Sequence, residues 1–361
     1  MDDVLLVGLS ARSLAEAARA AGYNALAADL FCDLDTESIA VRSARIAGDL
    51  EHGLTWAPLI QALTALAEGR SPAGIVCGTG FEDRPALLDR LADRWRLYGN
   101  ETRVVARMKD PAELSAICGR LGVLHPKWAS TRMPAQNWLS KQIGGAGGSH
   151  VGAVPRRASY RQERIAGEAV SALVLGAERR AMVIGLSRQW TDPLPHAPYR
   201  YGGAVRPAEL ERDTERALVD AAERISEEAG LVGLNSIDFL VGPQACHLIE
   251  VNPRPGATWD IFRSTRSSLF TMHIGGCSGT LPLKKPGFEG AAAASVAYAS
   301  REVACVPEIE WPEWTADRQR SGTRLGAGTP VCTVLAEAET PREARRLVDE
   351  RRVAILAALG A

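Results

Sequence analysis

The 361-residue sequence has no long apolar run and no marked excess of charge of either sign. No stretch approaches the roughly 20 consecutive apolar residues that a membrane span requires, so none is expected. The 42 basic and 43 acidic residues give a formal net charge of −1. This balance argues against a general nucleic-acid-binding protein, although a local basic groove could still hold a nucleotide. The chain is long enough for two or three domains with substantial cores.

The cysteines form no CxxC pair, and their number is odd, with seven at positions 32, 77, 118, 246, 277, 305 and 332. We therefore expect neither a zinc site nor a disulfide framework. Each cysteine is expected to be a small buried hydrophobic residue in a reducing compartment. The N-terminus, MDDVLLVGLS, is acidic before a short apolar run, which indicates a first strand and not a signal peptide. The expected location is the cytoplasm.

Residues 1–100 alternate short apolar strands with amphipathic helical patterns. Strands are expected at 3–8, 24–30 and 73–80, and helices at 10–22 and 84–95. This alternation predicts βαβ units and a parallel sheet, so the fold class is α/β.

The first turn of this domain lacks a dinucleotide-binding fingerprint. Gly8 is followed by Leu-Ser-Ala-Arg-Ser, so the second and third glycines of G-x-G-x-x-G are missing. Without them the backbone lacks the close approach to a pyrophosphate. The turn is interpreted as scaffold, with an edge that could face substrate, and an NAD-dependent dehydrogenase is disfavoured.

From residue 104 the pattern changes. A helix is expected to start near Pro111 and to end at Gly122. Strands, or mostly β structure, are expected over 138–154, 160–176 and 179–190, and a charged helix over 208–229. IDFLV and CHLIEVN flank GPQA, which predicts a hairpin. The tail from about residue 290 is expected to mix strands with a last helix at 340–359.

A glycine-rich loop follows Lys141, with four glycines between positions 144 and 149. Glycine permits backbone conformations in which successive N–H groups can surround phosphate oxygens, and Lys141 offers a cation for the same phosphates. No Gly-Lys-Ser/Thr follows the glycines, so this is not a Walker A loop. For an isolated loop of this kind, a hairpin tip would be the better interpretation.

Glu250 and Asn252 lie two apart on a strand and therefore project from the same face. If the hairpin loop is 243–245, Asp238 lies opposite Glu250 on that face, and a slip of one residue turns it away. Two carboxylates this close repel each other unless a cation lies between them. Carboxylate and amide oxygens are ligands that suit Mg²⁺, so the arrangement predicts a metal site. The alternative interpretation is a solvated strand face on which the two carboxylates never come close to each other.

The order of these features along the chain resembles that of the ATP-grasp superfamily, across most of residues 100–275. The features are Lys109, Lys141 with its glycine loop, QER at 162–164, Asp238 and the EVNPRPG stretch. The resemblance implies an N-terminal doubly wound pre-ATP-grasp domain (1–102), a two-lobed α+β ATP-grasp core (103–285) and a small C-terminal α+β region (286–361). The tail resembles the carboligase-like branch related to biotin carboxylase, which includes proteins of one-carbon carrier biosynthesis.

The resemblance implies a role for each matching residue. Lys109 and Lys141 match the two lysines that contact the phosphates of ATP. Residues 144–149 match the mobile loop that closes over those phosphates, with the glycines Gly144, Gly145, Gly147 and Gly148.

The adenine and ribose contacts are expected between the two lobes. Gln162, Glu163 and Ile165 match the hinge that receives adenine. Glu168 is a candidate ligand for the ribose hydroxyls.

Metal and catalytic residues are expected around the hairpin. Asp238, Glu250 and Asn252 match the Mg²⁺ ligands, with Mn²⁺ as an alternative cation. Some relatives have glutamate at the position of Asp238, and the shorter aspartate leaves open whether one or two metal ions bind. Arg254 matches the arginine near the γ-phosphate and the acyl phosphate, so Arg254 and Lys141 are the expected catalytic residues.

The implied activity is ATP- and Mg²⁺-dependent ligation of a small-molecule carboxylate to an amine through an acyl phosphate, releasing ADP and phosphate. Nucleic acid and membranes are not expected partners, and a homodimer is compatible with the resemblance. Two alternatives stay open: a biotin-carboxylase-like carboxylase, and a regulator that binds ATP without turnover. Candidate substrate contacts are Glu82 or Asp83, the segment 196–203, and Trp259 with Arg263. The alternative for segment 196–203 is a surface loop, and Arg206, which follows it, favours the substrate contact.

Overall fold

The computed structural model describes residues 1–130, 137–152, 159–263 and 268–361. Within these residues it contains a parallel sheet, a small antiparallel sheet and a large antiparallel sheet. The small sheet lies between the other two along the chain.

The N-terminal sheet has five strands: β1 (Asp3–Val7), β2 (Asn24–Asp29), β3 (Arg42–Arg45), β4 (Ile75–Cys77) and β5 (Leu97–Tyr98). Their spatial order is β3-β2-β1-β4-β5, and all pairs are parallel. The helices of this region are α1 (Arg12–Ala20), α2 (Leu34–Ile39), α3 (Trp56–Ala67) and α4 (Ala86–Ala92). Alternate β1 residues pack on two different apolar clusters, with α1 on one face and α3 on the other. The predicted doubly wound α/β domain is confirmed.

Two helices connect this sheet to the small one: α5 (Thr102–Lys109) and α6 (Pro111–Leu121). The Asp110 side chain accepts hydrogen bonds from the first turn of α6, and Pro111 occupies its first position, where a missing N–H costs nothing. Gly122, with φ of 66°, ends the helix as expected from the sequence. The small sheet contains β6 (Trp128–Ala129), β7 (Trp138–Gln142) and β8 (Ser159–Glu163) in the order β6-β8-β7.

The large sheet contains β9 (Glu168–Ala177), β10 (Arg180–Thr191), β11 (Tyr201–Arg206), β12 (Gly233–Val241), β13 (Cys246–Asn252), β14 (Ala291–Tyr298), β15 (Thr315–Ala316) and β16 (Pro330–Ala338). Its order is β13-β12-β9-β10-β11-β14-β16-β15. It is accompanied by α7 (Arg212–Ala229), a 3₁₀ helix (Ala257–Phe262), α8 (Leu269–Cys277) and α9 (Pro341–Leu359). The C-terminal strands therefore extend the sheet of the central region, and the division at residue 285 stays a prediction.

The predicted strands and long helices are present, with shorter bounds at several ends, apart from the second strand expected after the glycine loop. In the described part of that segment, Gly152 forms only an isolated bridge with Ser140. Residues 153 and 154 of the segment expected to form a second strand after the glycine loop lie outside the described residues. The segment 196–203 is only partly a loop, because β11 begins at Tyr201. No described helix is both long and apolar enough to cross a membrane. All seven cysteines are free, but Cys246 and Cys277 are only half-buried and Cys305 is exposed, so the expectation that each is buried is wrong for these three.

His273 connects the N-terminal sheet to the large one. Its Nδ1 accepts a hydrogen bond from the Leu234 N–H at 2.9 Å, and its Nε2 lies 3.0 Å from the carbonyl oxygen of Tyr98. The side chain is fully buried. This arrangement needs a neutral imidazole with its proton on Nε2. Burial lowers the pKa of His273 from 6.5 to about 4, against a smaller opposing effect of the Tyr98 carbonyl.

We expect the contribution of His273 to the thermal stability of the protein to be lost as the pH is lowered from about 6.5 to 4. In that range the unfolded state binds a proton at His273 that the folded state does not, at a cost of up to about 3 kcal/mol. His273→Gln should lower stability at neutral pH and flatten this part of the pH profile. Exposed His196→Gln is the control and should keep the wild-type profile. A profile of His273→Gln as steep as that of the wild type would contradict the assignment.

Candidate active site

The β12–β13 hairpin places Asp238 opposite Glu250, as the sequence predicted. The pairing arises from a longer turn combined with a β-bulge, and not from a regular register. The turn is Gly242–Ala245, one residue longer than the loop assumed, and Val241 pairs with Cys246. Regular pairing from this turn would put Asp238 opposite Ile249. A β-bulge shifts the register between Phe239 and Asp238, so that Ile249 is the extra residue. The bulge restores the pairing in which the two carboxylates face each other.

Four polar side chains form one cluster at this hairpin. Lys109 Nζ donates to Glu250 Oε1 at 2.6 Å and to Asn252 Oδ1 at 2.8 Å. Asn252 Nδ2 in turn donates to Asp238 Oδ2 at 2.9 Å. Lys109 is the last residue of α5, so the helix end brings a buried ammonium to the polar face of the hairpin. The predicted metal ligands and one predicted phosphate lysine are thus in direct contact.

The two carboxylates of this cluster have opposite pKa shifts. Burial raises the pKa of Asp238 to about 6, and the neighbouring charge of Glu250 adds to the effect. Burial also favours the neutral form of Glu250, but Lys109 and Lys141 outweigh it and lower the pKa of Glu250 to about 2. Glu250 is therefore ionised at neutral pH, with its charge balanced by two lysines.

The cluster fits a divalent cation of the Mg²⁺ type. Its donor atoms are carboxylate and amide oxygens, which Mg²⁺ prefers. Oδ1 of Asp238 is buried and has no hydrogen-bond partner within the described part of the chain. The described residues contain no group of three or more His, Cys, Asp and Glu suited to a metal, so the third protein ligand here would be the Asn252 amide.

Lys141 lies next to this cluster on the small sheet. It is buried, and its Nζ donates to Gln162 Oε1 at 3.2 Å. Burial disfavours its charge, but Tyr160, Glu250 and Asp238 outweigh this and raise the pKa of Lys141. Tyr160 pairs with Lys141 across β7 and β8, and sequence reasoning missed it because an aromatic residue on a strand is usually part of the core.

The glycine loop lies over the charged cluster. A small cavity of about 20 Å³ is lined by Gly144 and His150 of the loop segment and by Lys109, Lys141 and Glu250. Gly144, Gly147 and Gly148 have φ values of 75°, 68° and 72°, a conformation that other residues avoid.

Two of these glycines also permit close packing. A side chain on Gly144 would overlap the backbone at Glu82 and Asp83, and one on Gly148 would overlap the Tyr199 carbonyl. Glycine at these positions therefore allows the loop to contact both the N-terminal region and the segment before β11.

Arg254 is held by the N-terminal domain. Its Nε donates to Glu82 Oε1 at 2.6 Å, and Glu82 Oε2 accepts from the N–H groups of Gly80 and Phe81 at 2.8 and 3.0 Å. Burial would raise the pKa of Glu82, but the charges of Arg254 and Lys109 lower it. Glu82, which the sequence suggested as a substrate contact, is thus the partner of Arg254.

The predicted adenine and ribose residues lie where β8 of the small sheet leads into β9 of the large one, and Gln162 among them reaches Lys141 beside the cluster. Gln162 is buried beside Lys141, whereas Glu163 accepts a bond from the Lys127 N–H at 3.3 Å. Ile165 is half-buried in the connection between the strands. Glu168 is exposed and forms an ion pair with Arg188. The position between two sheets is that expected of a hinge, and the nucleotide roles stay predictions.

Comparisons with known proteins agree with this geometry. Residues 116–258 match a family model described as an ATP-grasp domain. No curated protein matches the sequence. The chain therefore contains an ATP-grasp domain, which includes Asp238, Glu250, Asn252 and Arg254.

Solved structures are similar over nearly the whole chain. The biotin carboxylase domain of Hydrogenobacter thermophilus 2-oxoglutarate carboxylase, a dimer in complex with MgADP, ADP and bicarbonate, has a TM-score of 0.74 at 13% identity, covering 96% of this chain and 88% of that one. An L-amino acid ligase from Bacillus licheniformis has a TM-score of 0.71 at 13% identity, covering 97% and 96%. An N5-carboxyaminoimidazole ribonucleotide synthetase in complex with ADP has a TM-score of 0.69 at 14% identity, covering 100% and 98%. The chain has the fold of these ATP-grasp enzymes.

Proposed function

We propose that the protein is an ATP- and Mg²⁺-dependent ligase that joins a carboxylate to an amine through an acyl phosphate, releasing ADP and phosphate. The observation that supports this proposal is the convergence of Asp238, Glu250 and Asn252 with Lys109. An oxygen-rich cluster of this kind, beside a second buried lysine and a glycine loop, suits a metal–nucleotide complex.

The residues of this chain would bind and orient the phosphates. Asp238, Glu250 and Asn252 would hold Mg²⁺, which neutralises charge on the transferring phosphoryl group. Lys109 and Lys141 are the cations available to the phosphate oxygens. The cavity beneath the glycine loop has room for about one water molecule, so the loop must move before a nucleotide enters. Once closed again, it would exclude water from the acyl phosphate.

Arg254 is the remaining candidate for the reaction centre. The Glu82 carboxylate fixes its guanidinium through Nε, which leaves other N–H groups of the guanidinium for the transferring phosphoryl group or the acyl phosphate. An amine would then attack the acyl carbon as phosphate leaves. The reaction requires no nucleophilic side chain, consistent with an amine as the nucleophile.

A biotin-carboxylase-like activity is the second candidate, supported by the similarity to the Hydrogenobacter biotin carboxylase domain. The domain division at residues 102 and 285, a homodimer and a cytoplasmic location are further proposals. The free cysteines are consistent with a reducing compartment.

The ligase proposal is tested by following ADP formation with pools of amino acids and amines as substrates, with Mg²⁺ and with EDTA. We expect ADP formation that depends on Mg²⁺ and on both a carboxylate and an amine. ADP formation that depends on bicarbonate and biotin would favour the carboxylase. ATP binding without turnover across the whole panel would favour a regulator.

A further inference from the structure

A second and larger cavity lies beside the residues that follow the β12–β13 hairpin. Its volume is about 280 Å³, and it is bordered by Pro255 and Gly256, which directly follow Arg254. Its other walls come from the first turn of the N-terminal domain, from β11 and from the C-terminal strands β14 and β16. The volume is near the lower end of the range for small-molecule sites. The cavity therefore adjoins the proposed reaction centre without belonging to the cluster of Lys109, Asp238 and Glu250.

The charged side chains in this wall are mostly acidic. They are one arginine, Arg12, and three carboxylates, Asp33, Asp260 and Asp317. Arg12 is already engaged, because its two Nη atoms lie 2.7 and 2.6 Å from Asp260, and its Nε and Nη2 each lie 3.0 Å from Asp317. A bound carboxylate would thus meet excess negative charge and no available cation in this wall.

Asp33 is the carboxylate of this wall that forms no ion pair among the described residues; Arg320 acts on it only at longer range and is engaged by Glu37. Asp33 is 4% exposed, and no basic side chain in the described part of the chain lies within 4.0 Å of it. Its carboxylate accepts hydrogen bonds from the backbone N–H and the hydroxyl of Thr36 at the start of α2. Burial, with the charge of Asp317, raises the pKa of Asp33 to about 7. A cation in the cavity would relieve this unfavourable burial of negative charge.

The rest of the wall is largely apolar. Leu9, Phe31, Tyr201, Val296 and Val331 line it. Such a surface favours a hydrocarbon or aromatic group over a highly polar one. The cavity thus combines the carboxylate of Asp33 with an apolar wall.

We infer that this cavity binds the amine substrate of the ligase as an organic cation, with its ammonium at Asp33 and an apolar body against Leu9, Phe31 and Tyr201. The inference rests on the proposed function for the identity of the ligand as substrate. The binding itself follows from the charge and shape of the cavity and is measurable without turnover.

The test uses benzylamine as a probe cation, with benzyl alcohol and benzoate as neutral and anionic analogues of similar shape, in ligand-observed NMR titrations with ADP present. Asp33→Asn removes the charge but keeps an oxygen that can cap α2. The matched control is Asp213→Asn, the same substitution at an exposed position in the first turn of α7. Val296→Phe fills the cavity without changing its charge.

Benzylamine should bind to the wild type and to Asp213→Asn, and the alcohol and benzoate should not. Asp33→Asn should weaken benzylamine binding by about 30-fold, as expected when one partner of a buried charge pair is removed. Val296→Phe should weaken it with unchanged ADP affinity. Equal binding of the three probes, or wild-type benzylamine binding in both Asp33→Asn and Val296→Phe, would overturn the inference.

The two proposals fail in distinguishable ways. Amine-dependent ADP formation that is unchanged in Asp33→Asn and Val296→Phe would overturn the inference and leave the ligase proposal standing. Benzylamine binding that is lost in Asp33→Asn, with no ADP formation under any condition, would support the amine site and overturn the ligase proposal.

Discussion

Glu250→Gln should reduce Mg²⁺-dependent ADP formation by at least about 10³-fold, the effect expected when several kcal/mol of metal-assisted charge stabilisation is lost. The substitution preserves size and leaves an amide oxygen to accept the bond that Lys109 now donates at 2.6 Å. It removes the negative charge that faces Asp238 and the two lysines. The loss should therefore appear in turnover and in Mg²⁺ dependence.

Glu250→Gln should also lower thermal stability, because the buried ammonium groups of Lys109 and Lys141 lose the carboxylate that balances their charge, and the relieved repulsion with Asp238 offsets only part of that loss. Rates are therefore compared at a temperature at which both proteins are folded. Glu302→Gln is the matched control. It makes the same change in an exposed ion pair with Arg324, and it should keep full activity. Equal rates of ADP formation in Glu250→Gln and the wild type would contradict the catalytic assignment of the hairpin.

Arg12→Met should destabilise the folded protein strongly. Arg12 is 3% exposed and connects α1 to Asp260 and Asp317, which lie 248 and 305 residues away in the sequence. Methionine roughly preserves the volume but leaves Asp260, whose side chain is 8% exposed, with only the more exposed Arg263 as a cationic partner. The expected loss is about 3–5 kcal/mol, measured by thermal or denaturant unfolding.

Arg263→Met is the control for this substitution. Arg263 also contacts Asp260, at 3.3 Å, and Glu16, at 2.6 Å, but its side chain is 40% exposed. Its removal should cost about 0–1 kcal/mol. Adding Asp260→Asn to Arg12→Met should recover part of the lost stability, because it removes the poorly compensated charge. Similar losses for Arg12→Met and Arg263→Met would show that the Arg12 network is not a buried charge pair.

Local patterns were sufficient to predict the elements that depend on short-range chemistry. The run at 3–8 predicted a buried strand, and Pro111 with Gly122 predicted both ends of α6. Residues with weaker patterns were missed, including β3, whose sequence RSAR has no apolar residue apart from alanine. It pairs at the sheet edge through its backbone, and backbone pairing leaves little trace in a polar sequence.

Among the candidate site residues, too, local sequence patterns predicted some features and missed others. The spacing of Glu250 and Asn252 predicted a shared face, and the pairing with Asp238 confirms it. The bulge at Ile249 that produces this pairing was not predicted, since a bulge arises from strand twist and packing and not from one residue type. The contact between Arg254 and Glu82, 172 residues apart, was likewise not foreseen.

The sequence by itself determined the fold class and the hairpin that bears Asp238, Glu250 and Asn252, because strand periodicity and turn chemistry act over a few residues. Only the tertiary structure decided that Lys109 bridges Glu250 and Asn252, that Glu82 holds Arg254, and that Arg12 forms no ion pair with Asp33 in the second cavity. Charges separated by 100 residues or more meet only through packing, and burial then determines which of them require a partner.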